Sequence, residues 1–147
     1  MKKEKTLFYF FLCLFSLWAV AQEKKPVKIA CVGNSITYGS GIKNQFQNSY
    51  PGLLSQLLGE GYDVRNFGIS ARVLLNKGDH PYMHEQKFRD LLAFQPDIVT
   101  IKLGTNDSKP WNWRYGKDFK KDLTEMLDIL QELPSKLRYI FVCLFLP

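Results

Sequence analysis

Apolar positions along this chain follow two alternating patterns. Short apolar or β-branched runs predict four strands, at Val27–Val32, Tyr62–Phe67, Asp97–Leu103 and Arg138–Leu146. Apolar residues at helical spacing predict three helices between those runs, at Tyr50–Gly59, Glu85–Phe94 and Lys117–Leu133. Strands that alternate with helices form βαβ units, so the pattern predicts a parallel sheet covered by helices.

Three of the predicted strands stop at a glycine followed by small polar residues, namely Gly33, Gly68 and Gly104. The carboxyl ends of parallel strands share one edge of a sheet, and ligands bind at that edge. Ser35 follows the first of these glycines, which makes it a candidate nucleophile or ligand donor. Gly-Asn-Ser is also ordinary turn and helix-capping chemistry, and that structural role is the alternative for Ser35.

The first residues have the pattern of an export signal. Lysines at positions 2, 3 and 5 precede the apolar run Leu7–Trp18, and Ala19–Ala21 supplies small residues at a cleavage position. The sequence therefore predicts a signal peptide over 1–21, a single domain over 22–147, and a secreted or periplasmic protein with no stable membrane insertion after cleavage. An uncleaved anchor is the alternative.

Composition excludes several classes of function. The chain has 147 residues, of which 46% are hydrophobic and 23% are charged, as in one globular domain. Its net charge is +6, but the lysines are scattered, so nucleic acid is not an expected partner. Cys31 and Cys143 lie in apolar runs and are predicted to be small core residues. His80 and His84 lack a third ligand, so neither a metal nor a cofactor is predicted.

Three short blocks carry a family resemblance. Gly33–Thr37, Asn66–Ser70 and Gly104–Asp107 resemble, in order, the first three blocks of the SGNH or GDSL-type hydrolases. The resemblance implies a flavodoxin-like three-layer α/β/α fold whose parallel sheet has the strand order 2-1-3-4. It also implies that 22–147 is the incomplete amino-terminal portion of such a domain, truncated before the last strand and helix.

The chemistry implied by this resemblance is hydrolysis of a carboxylic ester. Ser35 would attack the ester carbonyl. The negative oxygen that develops needs donors fixed in advance. The resemblance assigns that role to the backbone N–H groups of Ser35 and Gly68 and to the side-chain amide of Asn106.

The sequence departs from the family pattern in two places. Asn34 stands where the family usually has aspartate, a change expected to tune the loop. The late Asp-x-x-His block, whose histidine is the general base, is absent. The only histidines are His80 and His84, on the connection between the second and third strands. Because serine is a weak nucleophile without a base, we expect little or no hydrolysis by this chain.

Aromatic residues after the third block suggest the substrate. Trp111 and Trp113 closely follow Asn106, and they are assigned to substrate binding together with Asn34 and Asp107. The loop resembles that of secreted bacterial carbohydrate or sialate O-acetylesterases, which implies an O-acetyl ester on a carbohydrate, or another small-molecule ester. The alternatives are a lysophospholipase or short-chain carboxylesterase, a non-catalytic glycan-binding remnant and, ranked last, a flavodoxin-like phosphate or nucleotide binder.

Overall fold

Four parallel strands form the sheet at the centre of the molecule. The structure, a computed structural model, describes residues 25–143. The strands are β1 (Val27–Gly33), β2 (Tyr62–Gly68), β3 (Ile98–Lys102) and β4 (Tyr139–Val142). Their order in the sheet is β2-β1-β3-β4, and every pairing is parallel. The predicted α/β fold and strand order are confirmed.

The register of the sheet aligns the strand ends that carry the three sequence blocks. Gly33 pairs with Gly68 on one side and with Lys102 on the other. The residues that follow β1, β2 and β3 therefore leave the sheet at the same edge, as the glycine pattern predicted.

Helices lie on both faces of this sheet. In chain order they are α1 (Ser35–Tyr38), α2 (Gln45–Asn48), α3 (Tyr50–Leu58), α4 (Gln86–Phe94), α5 (Pro110–Trp113) and α6 (Phe119–Gln131). Two 3₁₀ turns, Tyr82–His84 and Gly116–Asp118, precede α4 and α6. The three long helices match the predicted ones, whereas the four-residue helices were not predicted.

The main core lies between the sheet and the helices α4 and α6. Side chains on a strand alternate between faces, so one face of the sheet presents a continuous apolar surface. It packs against the inward residues of the two helices, and the cluster includes Ala30, Val32, Val99, Ile101, Phe88, Leu91, Met126 and Leu130. On the other face, the Tyr50 hydroxyl of α3 lies 2.8 Å from Thr100 Oγ1, so α3 covers that side.

Burial departs from the apolar pattern on α3 and β4, and the prediction that Cys143 is a core residue was wrong. Leu53 and Leu57 are 47% and 84% exposed, because only part of the leucine-rich surface of α3 packs on the sheet. Cys143 is exposed, not a core residue, although Cys31 is fully buried and both cysteines are free. On β4, Tyr139 and Phe141 stack on each other at 6.1 Å and are 61% and 58% exposed.

The predicted signal peptide and the end of the predicted fourth strand, residues 144–146, lie outside the described residues. Within residues 25–143, none of the helices has the length and apolar character needed to span a membrane.

Candidate active site

Ser35 lies where β1 passes into α1. It is the first residue of α1, and its side chain is partly exposed at the carboxyl edge of the sheet. Asn34 precedes it in extended conformation and caps the helix, since its Oδ1 accepts the Ile36 N–H at 3.1 Å. Asn34 is only 1% exposed. The assignment of Asn34 to substrate binding is therefore corrected to helix capping, which orients the serine turn.

Gly68 packs directly against the serine turn. A Cβ atom there would lie 2.3 Å from the Tyr38 nitrogen, so only glycine permits this contact between β2 and α1. The Gly68 N–H donates to Asn66 Oδ1 at 2.8 Å, and Asn66 Nδ2 donates to the Thr37 carbonyl at 2.9 Å. Because this N–H is already engaged and Gly68 is buried, the expectation that it faces an oxyanion is not met in this structure.

Asn106 is the second candidate residue at this edge. The residue is 9% exposed, and its side-chain amide donates to the Arg72 carbonyl at 3.1 Å. That bond uses one of the two amide hydrogens. The Asn106 carbonyl accepts Asn112 Nδ2 at 2.9 Å, which ties the loop after β3 to α5.

Asp107 organises the loops around Asn106. It is fully buried. Its Oδ1 accepts the N–H groups of Leu74 and Leu75, each at 2.8 Å, and its Oδ2 accepts the Gly104 N–H at 3.1 Å. Burial raises the pKa of the Asp107 carboxyl, and these backbone donors oppose that rise. Its assignment to substrate binding is corrected, because the carboxylate is committed to protein backbone.

Hydrogen bonds link the loops that carry the three sequence blocks. The Ile69 N–H donates to the Gly33 carbonyl at 3.0 Å, and the hydroxyls of Ser40 and Ser70 lie 2.6 Å apart. Through Ser70, the loop after β2 borders the turn that begins at Ser35, and two residues later it meets Asn106 at the Arg72 carbonyl. Segment 69–72 therefore bonds both to the turn that contains Ser35, through Gly33 and Ser40, and to the side chain of Asn106.

The two tryptophans have different environments. Trp113 is partly buried, packs on the Phe119 ring at 6.0 Å between centroids and contacts Gly116. The ring therefore packs between α5 and α6, and its assignment to substrate binding stays a prediction. Trp111 is 54% exposed, and its indole N–H donates to Asp79 Oδ2 at 3.1 Å. Of the two, Trp111 is the more exposed.

The histidines lie on the connection between β2 and α4, and both are exposed. Within residues 25–143, no hydrogen bond joins either imidazole to Ser35 Oγ, and no group of three or more His, Cys, Asp or Glu side chains has the arrangement of a metal site. A catalytic Ser–His pair is therefore not formed by the described residues.

One feature of the site was not predicted from sequence. Ala71 has φ = 66°, in the left-handed region that non-glycine residues rarely adopt, and it is exposed. It directly precedes Arg72, whose carbonyl accepts the Asn106 amide. Strained backbone of this kind clusters at functional sites. The sequence carries no signal for it, since alanine gives no indication of a positive φ.

The fold and these motifs define the class of protein. The model of the GDSL-like Lipase/Acylhydrolase family matches residues 31–147, so the chain belongs to this family.

The chain is also similar in sequence to one particular esterase. The chain is 54% identical over 111 residues to an acetylxylan esterase of Xylanibacter ruminicola, an alignment that covers 76% of this chain and 23% of that protein. The chain thus spans about a quarter of that relative's length.

Solved structures share the fold at lower identity. The esterase AlinE4 mutant D162A superimposes with a TM-score of 0.64 at 22% identity, covering 86% of this chain and 63% of that one. Est24, a carbohydrate acetylesterase from Sinorhizobium meliloti, gives 0.61 at 22% identity, with 79% and 62% covered. The M. smegmatis aryl esterase gives 0.61 at 24% identity, with the same coverage.

Proposed function

We propose that this chain carries the nucleophile and the oxyanion-binding part of a carboxylic ester hydrolase that removes acetyl groups from a carbohydrate. The observation that carries the proposal is that segment 69–72 is hydrogen-bonded to Gly33 and Ser40, on either side of Ser35, and to the side chain of Asn106. The names of the Xylanibacter ruminicola relative and of Est24 support a carbohydrate acetyl ester as the substrate.

The reaction follows from the groups at this edge. Ser35 Oγ attacks the acetyl carbonyl and gives up its proton, the ester C–O bond breaks, and the sugar oxygen takes up that proton and leaves as a hydroxyl. Water then cleaves the acetyl-serine, which releases acetate and restores the hydroxyl. The Ser35 N–H and the Asn106 amide stabilise the negative oxygen in both steps.

The third oxyanion donor of this proposal is the backbone N–H of Ala71. In this structure the Gly68 N–H is not available to an oxyanion, because it donates to Asn66 Oδ1. Ala71 is exposed, has positive φ, and adjoins the carbonyl that accepts the Asn106 amide. A strained residue held beside the second donor fits a preorganised site.

The expected rate of hydrolysis is low because no histidine among the described residues is positioned as a general base for Ser35. Since neither histidine of this chain is hydrogen-bonded to Ser35, the serine is a weak nucleophile at neutral pH. We therefore expect little turnover by the 147-residue chain alone. Free imidazole, supplied as an external base, should raise it.

The test is hydrolysis of phenyl acetate and of acetylated xylo-oligosaccharides with and without added imidazole. Ser35→Ala measures the background from imidazole itself, and Ser108→Ala serves as a matched control on the loop after β3. We expect an imidazole-dependent rate in wild type and Ser108→Ala that is absent from Ser35→Ala. Equal rates in all three proteins would contradict the proposal.

Asn106→Ala tests the oxyanion assignment in the same assay. Removal of one such donor lowers turnover by roughly 10²–10³-fold in comparable sites. We expect the imidazole-dependent rate to fall by that order while the folded state, followed by circular dichroism, is retained. A rate unchanged in the folded variant would remove Asn106 from the mechanism.

A second candidate function is glycan binding without catalysis. It is favoured because, within residues 25–143, neither histidine is hydrogen-bonded to Ser35, and because Trp111 is exposed with its indole N–H engaged. Calorimetry with acetylated and deacetylated xylo-oligosaccharides separates the two functions. Binding without any Ser35-dependent acetate release, even with imidazole, would favour the binding module.

Faster Ser35-dependent hydrolysis of an aryl or short-chain ester than of the acetylated sugars would instead favour the short-chain carboxylesterase alternative.

Export is part of the same proposal. A secreted or periplasmic location would give the site access to glycans outside the cytoplasm. Amino-terminal sequencing of the protein recovered from the periplasm or medium should start at Gln22. Recovery of the intact amino terminus only in the cytoplasm would contradict export.

A further inference from the structure

Trp111 is an exposed aromatic ring restrained by a hydrogen bond to a neighbouring loop. It is 54% exposed, yet its indole N–H donates to Asp79 Oδ2 at 3.1 Å. The ammonium group of Lys109 lies 5.6 Å from the centre of the ring. An exposed side chain with these restraints samples fewer rotamers than an unrestrained one. It therefore loses less conformational entropy when a ligand binds.

Asp79 is itself anchored to the loop that bears Asn106. Its Oδ1 accepts Asn112 Nδ2 at 3.1 Å, and its backbone N–H donates to Asn112 Oδ1 at 2.9 Å. Asn112 is 1% exposed and also donates to the Asn106 carbonyl at 2.9 Å. A continuous set of hydrogen bonds therefore runs from the Trp111 ring through Asp79 and Asn112 to Asn106.

The hydrogen bonds of Asp79 also affect its charge. Burial raises the pKa of the Asp79 carboxyl, but the hydrogen bonds from Trp111 and Asn112, together with the charge and backbone N–H of His80, leave the pKa below its ordinary value. The carboxylate is thus ionised at neutral pH and accepts two side-chain hydrogen bonds. This is the protonation state that keeps the indole N–H engaged.

We propose that Trp111 forms a subsite that stacks on a sugar ring of a polysaccharide substrate, and that Asp79 is the positioning residue of this subsite. The inference rests on the proposed function, because it gives the carbohydrate part of the substrate a place beside Asn106. The flat apolar face of an indole suits the C–H face of a pyranose ring, while its N–H is used by the protein. Because the Lys109 ammonium group lies over the ring, the proposal places the sugar on the opposite face of the indole.

Exposure of an aromatic side chain alone does not define this subsite. Phe46 is 93% exposed on α2, but it lies outside the Asp79, Asn112 and Asn106 hydrogen bonds. Phe46 therefore provides a matched control, an aromatic residue that is even more exposed and is not part of the candidate site.

The test is isothermal calorimetry of the full chain with acetylated xylo-oligosaccharides. Trp111→Ala should weaken binding about tenfold, the scale for loss of an aromatic anchor. Trp111→Phe should keep most of the affinity, and Phe46→Ala should bind as wild type does. Wild-type affinity in a folded Trp111→Ala variant, or equal losses in Trp111→Ala and Phe46→Ala, would overturn the proposal.

The positioning role of Asp79 is tested by measuring both binding and the mobility of the Trp111 ring. Asp79→Ala should weaken binding about threefold and increase acrylamide quenching of tryptophan fluorescence, since the freed ring samples more orientations. Asp79→Asn keeps a side-chain oxygen acceptor and should restore part of both properties. Weaker binding by Asp79→Ala without any change in quenching would overturn the positioning role.

The two proposals fail differently. Trp111-dependent binding without Ser35-dependent acetate release would refute the catalytic proposal and leave the subsite intact. Ser35-dependent release with binding that ignores Trp111 would refute the subsite alone.

Discussion

At the scale of single residues, the candidate site is defined by which polar groups are already engaged. Asp107 is the clearest case, because three backbone N–H groups from two loops donate hydrogen bonds to its buried carboxylate. Its sequence position, directly after Asn106, is equally compatible with substrate binding. Burial and the engaged oxygens are what assign it to loop organisation.

Asp107→Asn should destabilise the protein by about 1–3 kcal/mol, because the amide nitrogen would face a backbone N–H that then has no acceptor. Urea denaturation followed by circular dichroism measures the loss. Asp128→Asn, on the exposed surface of α6, is the matched control and should leave the midpoint unchanged. Equal midpoints for the two variants would show that the three hydrogen bonds contribute little.

At the candidate site, the ends of the strands were predictable from the sequence, but the local backbone conformations were not. The pattern correctly predicted that Ser35 and Asn106 lie at the ends of β1 and β3. It could not reveal that the Gly68 N–H is bonded to the side chain two residues before it, or that Ala71 has positive φ. Both are local backbone conformations selected by tertiary packing. Similarly, the division between exposed Trp111 and packed Trp113 depends on where α6 passes.

At the scale of secondary-structure elements, the strands were more predictable than the helices around the site. Buried parallel strands appear as continuous apolar runs, which makes β1 and β3 evident from the pattern, and β2 is marked by the glycine that ends it. The four-residue helices α1, α2 and α5 are too short for a periodic signal. The exposure of Leu57 follows from how far α3 reaches across the sheet, which periodicity does not specify.

The contact of β2 with α1 gives an element-scale prediction. Gly68→Ala places a methyl group 2.3 Å from the Tyr38 nitrogen, a backbone atom that cannot move without displacing the serine turn. We expect a loss of about 1–3 kcal/mol, as in overpacked cores, together with reduced Ser35-dependent turnover.

Gly61→Ala is the control for this substitution. It precedes the same strand, and an added Cβ there meets nothing within 4 Å. Thermal unfolding should separate the two variants, with Gly61→Ala close to wild type. A Gly68→Ala protein as stable as Gly61→Ala would mean that β2 and α1 are not packed as described.

At the scale of the whole molecule, the sheet has one apolar surface that no described helix covers. Tyr139 and Phe141 on the edge strand β4 are stacked and largely exposed. Edge strands with exposed apolar side chains favour pairing between molecules. Phe141→Lys should therefore reduce concentration-dependent association in sedimentation velocity, whereas the distant Phe46→Lys should have a smaller effect. Identical association in wild type and Phe141→Lys would contradict this role of β4.

The central claim is that Ser35 and Asn106 act on one ester carbonyl. Mass spectrometry of the chain after incubation with p-nitrophenyl acetate and imidazole tests it most directly, by locating the acetyl group on a peptide. We predict one acetyl group on Ser35, formed much more slowly in Asn106→Ala and absent from Ser35→Ala. Acetylation confined to lysines, or acetylation of Ser35 at the same rate in Asn106→Ala, would contradict the claim.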